Sequence, residues 1–186
     1  MTLLPPRSKW NVTSRTLFLS PKDVFSFFSS SVIYSHRREV RASRLVKLIV
    51  ASMTALQRDF LGDSYETGIP FRWVCLGLGQ LSSRKSLYQL ALFLTLQEAF
   101  ASSTRGHVYD PIWTETDYDF LKDHYHLQRF DASQVSDGTA CVDLYFMPHC
   151  PWSVCDSVMQ MQLAKANNAS SPLFLVGNAF SKLRAT

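Results

Sequence analysis

The most unusual stretch of this sequence, residues 145–152, places a histidine and a cysteine between two prolines. Pro148 and Pro151 restrict the residues before them to extended backbone conformations, so they fix the position of His149. His149 is therefore a candidate functional side chain, with a turn or helix-capping histidine as the simple alternative. Adjacent side chains of an extended segment point in opposite directions, so a nucleophile–base pair between His149 and Cys150 is not expected.

Two glycines, Gly77 and Gly79, follow a short apolar run over residues 71–76. Glycine permits positive φ and close backbone approach, and a helix that begins after such a loop offers unpaired N–H groups to an anion. Ser82 stands where the dinucleotide fingerprint has its third glycine, and no Gly-Lys-Ser/Thr follows, which excludes a Walker-type loop. The segment is either a nucleotide-cofactor loop or a tight strand-to-helix turn.

Two further strand ends carry polar candidates. Asp110 follows an apolar run at 107–109, where nucleotide-binding sheets place the acceptor for the ribose hydroxyls, although it lies 31 residues after Gly79 and the fingerprint expects about 20. An Asp-Pro pair also suits a turn. Gly177 and Asn178 follow the last apolar run, where an amide side chain can donate to and accept from a ligand or form a plain turn.

Short apolar runs alternate with longer helical patterns along residues 71–176. The alternation predicts a Rossmann-like three-layer α/β sandwich with a mostly parallel sheet, in which ligands bind outside the carboxyl ends of the strands. Thr114 and Asp117 form a capping-box pattern at one helix start. The helix over 86–101 is apolar nearly all round, so the sheet should cover one side and an N-terminal helix the other. The predicted strands are 71–76, 107–109, 127–130, 140–147 and 173–176, and the predicted helices are 86–101, 115–124 and 152–166.

The first 60 residues carry ten Lys or Arg against three Asp or Glu, whereas the remaining 126 carry nine against twelve. We therefore expect a basic helical N-terminal extension over 1–62 and an α/β domain over 69–186, with turn-forming residues at 62–64 and 68–70 between them. The clearest helix of the extension is predicted over 38–61, while 24–33 is ambiguous. Its predicted apolar face consists of Leu45, Leu48, Ile49, Ser52, Leu56 and Phe60.

A second face of that helix carries four positive charges at helical spacing, at Arg37, Arg41, Arg44 and Lys47. A solvated face is the favoured interpretation, and a docking surface for phosphate or an acidic partner is the alternative. Because no aromatic residues interleave with these charges to stack on bases, nucleic-acid binding is not expected except weakly through these four residues.

The composition, 46% hydrophobic and 18% charged over 186 residues, fits a globular domain with a sizeable core and excludes a disordered or fibrous chain. No apolar run reaches the roughly 18 residues of a membrane span, and no secretory signal is recognisable. Free thiols are therefore expected at the four cysteines. The spacing of Cys150 and Cys155 matches no zinc pattern, so no metal is expected.

Five blocks in order carry a family resemblance. They are Cys75-Leu76-Gly77-Leu78-Gly79, Tyr88-Gln89-Leu90-Ala91, Tyr109-Asp110-Pro111, Phe146-Met147-Pro148-His149-Cys150 and Gly177-Asn178-Ala179-Phe180. Together they resemble the "sensitivity to red light reduced" or SRR-like domain family over about residues 71–180. The resemblance implies a regulatory protein of cytoplasm and nucleus, linked to circadian timing and light signalling in plants and to clock-gene and haem-biosynthesis regulation in animals. It implies no established enzymatic activity.

The chain departs from this family pattern in three places. Ala179 replaces the serine usual after Gly-Asn, and Asn168 stands where a tryptophan commonly follows Ala-Asn. The chain also ends at Thr186, where relatives usually continue. These departures leave two alternatives, a complete domain and a product that is truncated at its C-terminus or alternatively spliced.

Two function hypotheses follow. The first is a non-catalytic regulator that uses the α/β fold as a platform for a protein partner. The second is a nucleotide-cofactor enzyme resembling an S-adenosylmethionine-dependent methyltransferase, with Gly77 and Gly79 at the cofactor, Asp110 at the ribose and residues 147–150 facing the substrate. The first is favoured. The cofactors to test are S-adenosylmethionine, NAD and haem, the last with His149 or Cys150 as an axial ligand.

Overall fold

A computed structural model describes residues 21–61, 71–100, 105–131, 142–166 and 173–177. These residues form five helices and five strands. In chain order they are α1 (Pro21–Ala42), α2 (Arg44–Leu61), β1 (Phe71–Leu76), α3 (Arg84–Ala99), β2 (His107–Tyr109), α4 (Glu115–Tyr125), β3 (Gln128–Arg129), β4 (Val142–Met147), α5 (Trp152–Ala166) and β5 (Leu173–Gly177).

The described strands form one parallel sheet in the order β3-β2-β1-β4-β5. This confirms the predicted α/β class, with every described strand pair parallel. Strand order reverses between β1 and β4, because the chain first builds outward from β1 to β3 and then returns to the other side of β1. Such a reversal opens a crevice at the carboxyl ends of the two central strands. The site candidates at 77–79 and 148–150 therefore flank the same crevice.

Alternate residues of the two central strands face opposite layers, as the pleat requires. Trp73 and Cys75 of β1 pack in one cluster with α3 and α4, while Val74 and Leu76 pack in the other with Cys155 and Val158 of α5. Helices therefore cover both faces of the sheet. Burial on both faces explains why β1 and β4 are mostly apolar along their length rather than alternating between apolar and polar residues.

Helix α3 is buried between the sheet and the N-terminal helices, as its all-round apolar pattern predicted. Leu90, Phe93 and Leu96 are fully buried in the same cluster as Ile33 and Val40 of α1. The N-terminal helices thus share one hydrophobic core with the α/β sheet. The predicted linker at 62–70 lies outside the described residues.

The prediction of one helix over 38–61 was wrong, because the chain breaks at Ser43. The Ser43 hydroxyl accepts the Val46 N–H at 3.3 Å, which caps the N-terminus of α2, and the Ser43 N–H donates to the Val40 carbonyl at 2.9 Å. Residues 38–42 and the ambiguous stretch 24–33 belong to α1. The predicted charge stripe is therefore divided between two helices.

The predicted apolar face of α2 was correct at Ile49, which packs against the core, and wrong at its leucines, which are exposed. Leu45 and Leu48 are 53% and 54% exposed, whereas Val46 and Met53 are buried. The side chain of Phe60 lies outside the described part of the chain. Two apolar stripes run along this helix, and the one at Val46 contacts the core through half-buried Ile49 and Val50.

Alanine substitutions on the two faces of α2 should have different effects on the free energy of unfolding. Leu48→Ala should change the free energy of unfolding by less than about 0.5 kcal/mol, because it removes no buried contact. Val46→Ala should lower the free energy of unfolding by about 1.5 kcal/mol, because it removes two buried carbon atoms. Urea unfolding of both variants measures the difference, and a larger loss in Leu48→Ala would show that something covers this face.

The predicted capping box of α4 is present. The Asp117 N–H donates to the Thr114 hydroxyl at 3.4 Å, and the Thr114 N–H donates to the Asp117 carboxylate at 2.8 Å. The helix ends at His126, whose φ of 57° lies in the left-handed region that commonly terminates helices. Of the described helices, none combines the length and apolar character that a membrane crossing requires.

Candidate functional site at the sheet crevice

The loops that follow β1 and β4 contact each other at the crevice between these strands. The Cys150 thiol donates to the Leu76 carbonyl at 3.4 Å. Gly77 has a φ of +69°, and a Cβ at this position would lie 2.7 Å from the Cys150 sulfur. Only glycine allows the loop to turn this way and the cysteine to pack over it. The structure thus brings together two motifs that are about 70 residues apart in the sequence.

Asp110 ties the glycine loop to the end of β2. One of its carboxylate oxygens accepts the Gly79 N–H at 2.7 Å, and the other accepts the Ile112 N–H at 3.1 Å. Only 4% of the Asp110 surface is exposed. Hydrogen bonds from backbone N–H groups to a carboxylate are stronger than neutral ones. Both carboxylate oxygens are therefore engaged inside the protein, at the position where a nucleotide-binding sheet would present an acid to a ribose.

Two aromatic side chains complete this arrangement, and sequence reasoning missed both. The Trp113 indole N–H donates to the Gly79 carbonyl at 2.6 Å. The Tyr118 hydroxyl donates to the Asp110 carbonyl at 3.2 Å and accepts the Asp110 N–H at 3.4 Å. The N–H and the carbonyl of Gly79 are thus both bound by residues from the segment after β2. The sequence offered one indication of their role. Both residues follow β2 closely, and the chain after β2 must pass the carboxyl end of β1.

The described cysteines are free thiols, as predicted, and they lie around the crevice. Burial, followed by the neighbouring Cys155 and Asp110, raises the pKa of Cys150 to about 11. Burial raises the pKa of Cys75 well above its ordinary value, and Cys150 adds to the effect. Cys141 lies outside the described residues. At neutral pH Cys150 is consequently a protonated thiol that donates a hydrogen bond, which is unfavourable for nucleophilic attack or for thiolate ligation.

His149 is exposed at the rim of the crevice, next to half-buried Pro148 and Cys150. Partial burial and, second, the positive charge of Lys85 in the first turn of α3 lower the pKa of His149. A neutral imidazole at neutral pH follows, with one nitrogen free to accept a proton or bind a ligand.

The lowered pKa of His149 can be measured by NMR titration of its ring protons. We expect its midpoint to fall below the ordinary histidine value of about 6.5. Lys85→Gln should move the midpoint upward, because it removes the repulsion between the ammonium and the imidazolium. Lys122→Gln, which removes an exposed charge on α4, should leave it unchanged. A midpoint above the ordinary value would contradict the placement of His149 beside Lys85.

Of the remaining predicted residues, one borders the crevice and the others that the structure describes lie elsewhere. Gly177 ends β5 beside Met147, and a Cβ there would lie 3.0 Å from the Met147 carbonyl, so it borders the same edge. Asn178 lies outside the described residues. Arg37 and Arg41 lie elsewhere, since both bind Glu98 in the last turn of α3 at 2.6 Å. Within the described ranges, no group of three or more His, Cys, Asp or Glu side chains is arranged to hold a metal ion.

The fold and the crevice define a doubly wound α/β protein whose glycine loop is bound by its own side chains. The model of the SRR1 domain matches residues 52–186. The chain therefore belongs to the SRR1 domain family, which confirms the resemblance found in the sequence. No curated protein and no solved structure was found to match it.

Proposed function

We propose that this protein is a non-catalytic regulator that uses its α/β fold as a platform for a protein partner. The observation that carries this proposal is the bond between the Asp110 carboxylate and the Gly79 N–H. Circadian timing, clock-gene expression and haem-biosynthesis regulation, in cytoplasm and nucleus, are the processes and compartments proposed for it. They rest on the SRR-like resemblance together with the family match.

A nucleotide cofactor would need the groups that this chain uses internally. In a dinucleotide or S-adenosylmethionine fold, the glycine loop leaves backbone N–H groups for the cofactor, and the acid after the second strand accepts from the ribose. Here Gly79 donates to that acid, and its carbonyl accepts from Trp113. Cofactor binding would have to break buried hydrogen bonds or use other parts of the crevice. The fit of S-adenosylmethionine or NAD to these residues is therefore poor.

A haem ligand fits the thiol poorly and the histidine better. Thiolate ligation requires Cys150 to lose its proton, and burial raises the pKa of this thiol to about 11. His149 is exposed, and its lowered pKa favours the neutral imidazole that coordinates iron. Of the two candidates, His149 is the side chain whose substitution tests haem binding.

The enzyme alternative, a methyltransferase-like protein, has one observation in its favour. The crevice lies at the reversal of strand order, where ligands of doubly wound folds bind, and His149 stands at its rim with its pKa lowered. A residue with a perturbed pKa in such a place is a candidate proton acceptor. The two functions differ in whether a small molecule stabilises the folded chain through the crevice.

Thermal unfolding of the full chain with S-adenosylmethionine, NAD, ATP and haemin in turn tests the proposal. A ligand present at about 100 times its dissociation constant stabilises the folded state by about 2.7 kcal/mol. We expect no shift that depends on the crevice. Gly79→Val and His149→Ala serve as crevice variants, and Lys122→Gln is the surface control.

A shift that disappears in either crevice variant, while that variant still unfolds cooperatively, would overturn the platform proposal in favour of ligand chemistry. A shift that persists in both variants comes from another surface and leaves the proposal standing.

A further inference from the structure

A cavity of about 430 Å³ lies beside the C-terminal half of α1. This volume falls in the range of small-molecule sites. Two arginines of the cavity bind Glu98, near the C-terminal end of α3. The glycine loop of the crevice precedes the N-terminal end of α3, 14 residues before Glu98, which is about 20 Å along the helix axis. The cavity is therefore far from the crevice at the other end of α3. The described residues that line it are Tyr34, Arg37, Arg38, Arg41 and Ala42.

The cavity carries more positive charge than its neighbours neutralise. Arg37 and Arg41 both donate to one oxygen of Glu98, each at 2.6 Å. Arg38 is exposed and makes no ion pair with a described residue. Glu39, the acid next to Arg38 in the sequence, lies 3.7 Å from the buried His36. Three guanidinium groups thus line the cavity, and one carboxylate, Glu98, binds two of them, which leaves a net positive charge for a ligand to neutralise.

Glu98 orients the arginines before any ligand arrives. Because one carboxylate oxygen holds both Arg37 and Arg41, the two guanidinium groups converge rather than spread into solvent. A guanidinium has five donor hydrogens in a planar fork that matches phosphate oxygens. The unused donors are therefore grouped at one cavity.

The helix dipoles do not oppose an anion here. The C-terminus of α1 is its negative end, but α2 begins two residues later at Arg44 and presents its positive end at the same corner. The first turn of α2 contains no acidic residue. The local field is consequently set by the arginines.

Tyr34 adds an aromatic surface to the cationic one. Its side chain is 76% exposed and lies one helical turn before Arg37 and Arg38, so it stands on the same side of α1. An exposed aromatic ring next to phosphate-binding cations is the arrangement that stacks on a nucleobase. A concave site with three arginines suits a compact polyanion better than an extended acidic peptide.

We propose that the cavity on α1 binds a nucleoside phosphate, with its phosphates on Arg37, Arg38 and Arg41 and its base on Tyr34. The site lies N-terminal to the family match except for Glu98, so it is a feature of this chain beyond the SRR1 domain itself. It is independent of the proposed platform function, because it uses no residue of the crevice.

Isothermal titration of the full chain with ATP at low salt tests the site. The double variant Arg38→Gln/Arg41→Gln should weaken ATP binding at least about tenfold, since each charge-assisted hydrogen bond is worth about a factor of ten. The double variant Arg105→Gln/Lys122→Gln removes the same charge elsewhere and should change the affinity less than about twofold. Gly79→Val and His149→Ala should leave it unchanged.

Tyr34→Ser distinguishes a nucleoside phosphate from phosphate alone. It should weaken ATP binding several-fold and leave the binding of inorganic pyrophosphate unchanged. The assignment of the base to Tyr34 would be overturned if ATP bound no more tightly than pyrophosphate, or if Tyr34→Ser left ATP binding unchanged. No saturable ATP binding at millimolar concentration, or equal losses in the two double variants, would overturn the site. Polyglutamate that binds more tightly than ATP and depends on Arg38 and Arg41 would assign the surface to an acidic protein instead.

Discussion

Asp110→Asn is expected to lower the free energy of unfolding by about 3 kcal/mol. Both carboxylate oxygens accept a backbone N–H, from Gly79 and from Ile112, inside a buried site. The asparagine amide has only one acceptor oxygen, so its NH2 group must face one of the two N–H groups. That donor would be left buried without a partner, and the other would lose the charge that strengthens its bond. Urea unfolding measures the change.

The same variant distinguishes a loop clamp from a ribose acceptor. Asp119→Asn is the matched control, because Asp119 is an exposed acid on the nearby helix α4, and its loss should change stability by less than about 0.5 kcal/mol. If Asp110→Asn were as stable as this control but lost the binding of a nucleotide cofactor, Asp110 would be a ligand acceptor and the internal bond to Gly79 would be incidental.

The described strands and helices from β1 to β5 were predictable because hydrophobic pattern and burial agree there. Strands β1 and β4 contact helices on both faces, so each is apolar except at one residue, Arg72 in β1 and Asp143 in β4. Helix α3 is covered twice, so it is apolar nearly all round. No tertiary information was needed to recognise either pattern. The alternation of strands and helices then fixed the parallel sheet.

The buried face of α2 was not predictable, because the hydrophobic pattern of this helix does not select one side. The helix carries Leu45, Leu48 and Leu56 on one side and Val46 and Met53 on another, and either stripe satisfies helical periodicity. Which one is buried depends on where α1 and α3 lie. The break at Ser43 decides this, because it sets the direction in which α2 leaves α1.

The location of the candidate site was predictable, but the function of Asp110 within it was not. Gly77, Gly79 and Asp110 were found because strand ends are where ligands bind in this fold. The sequence could not show that Asp110 turns inward to Gly79, because this depends on Trp113 and Tyr118, which hold the segment after β2 against the loop. The two contacts to Gly79, from Asp110 and from Trp113, join residues more than 30 positions apart.

The buried ion pair between Arg72 and Asp143 was missed for a similar reason. The two residues are direct neighbours in the register of β1 and β4, and the arginine donates to the carboxylate at 2.6 Å. Gln162 of α5 donates to the second carboxylate oxygen at 2.6 Å. Each residue alone is a polar interruption of an apolar strand. Only the strand register shows that they compensate each other.

Gly77→Ala is expected to destabilise the fold by about 3 kcal/mol, more than Gly79→Ala. Both glycines have φ in the left-handed region, +69° and +82°, so both alanines carry a backbone cost of about 1–2 kcal/mol. The surroundings differ. A Cβ at Gly77 would lie 2.7 Å from the Cys150 sulfur, whereas one at Gly79 would lie 3.2 Å from the hydroxyl of Ser86. The thiol is held by the Leu76 carbonyl and cannot move freely, so overpacking adds about 1–3 kcal/mol at Gly77.

The second substitution Cys150→Ala separates the two costs at Gly77. Removing the sulfur relieves the overpacking but leaves the backbone strain, so the double variant should lose less stability than the two single variants together. We expect a coupling of about 1–2 kcal/mol in a double-mutant cycle followed by urea unfolding. The same cycle between Gly79→Ala and Cys150→Ala should show coupling below about 0.5 kcal/mol. Additive losses at Gly77 and Cys150 would show that the loops after β1 and β4 do not meet as described, and the crevice would then be open to a ligand.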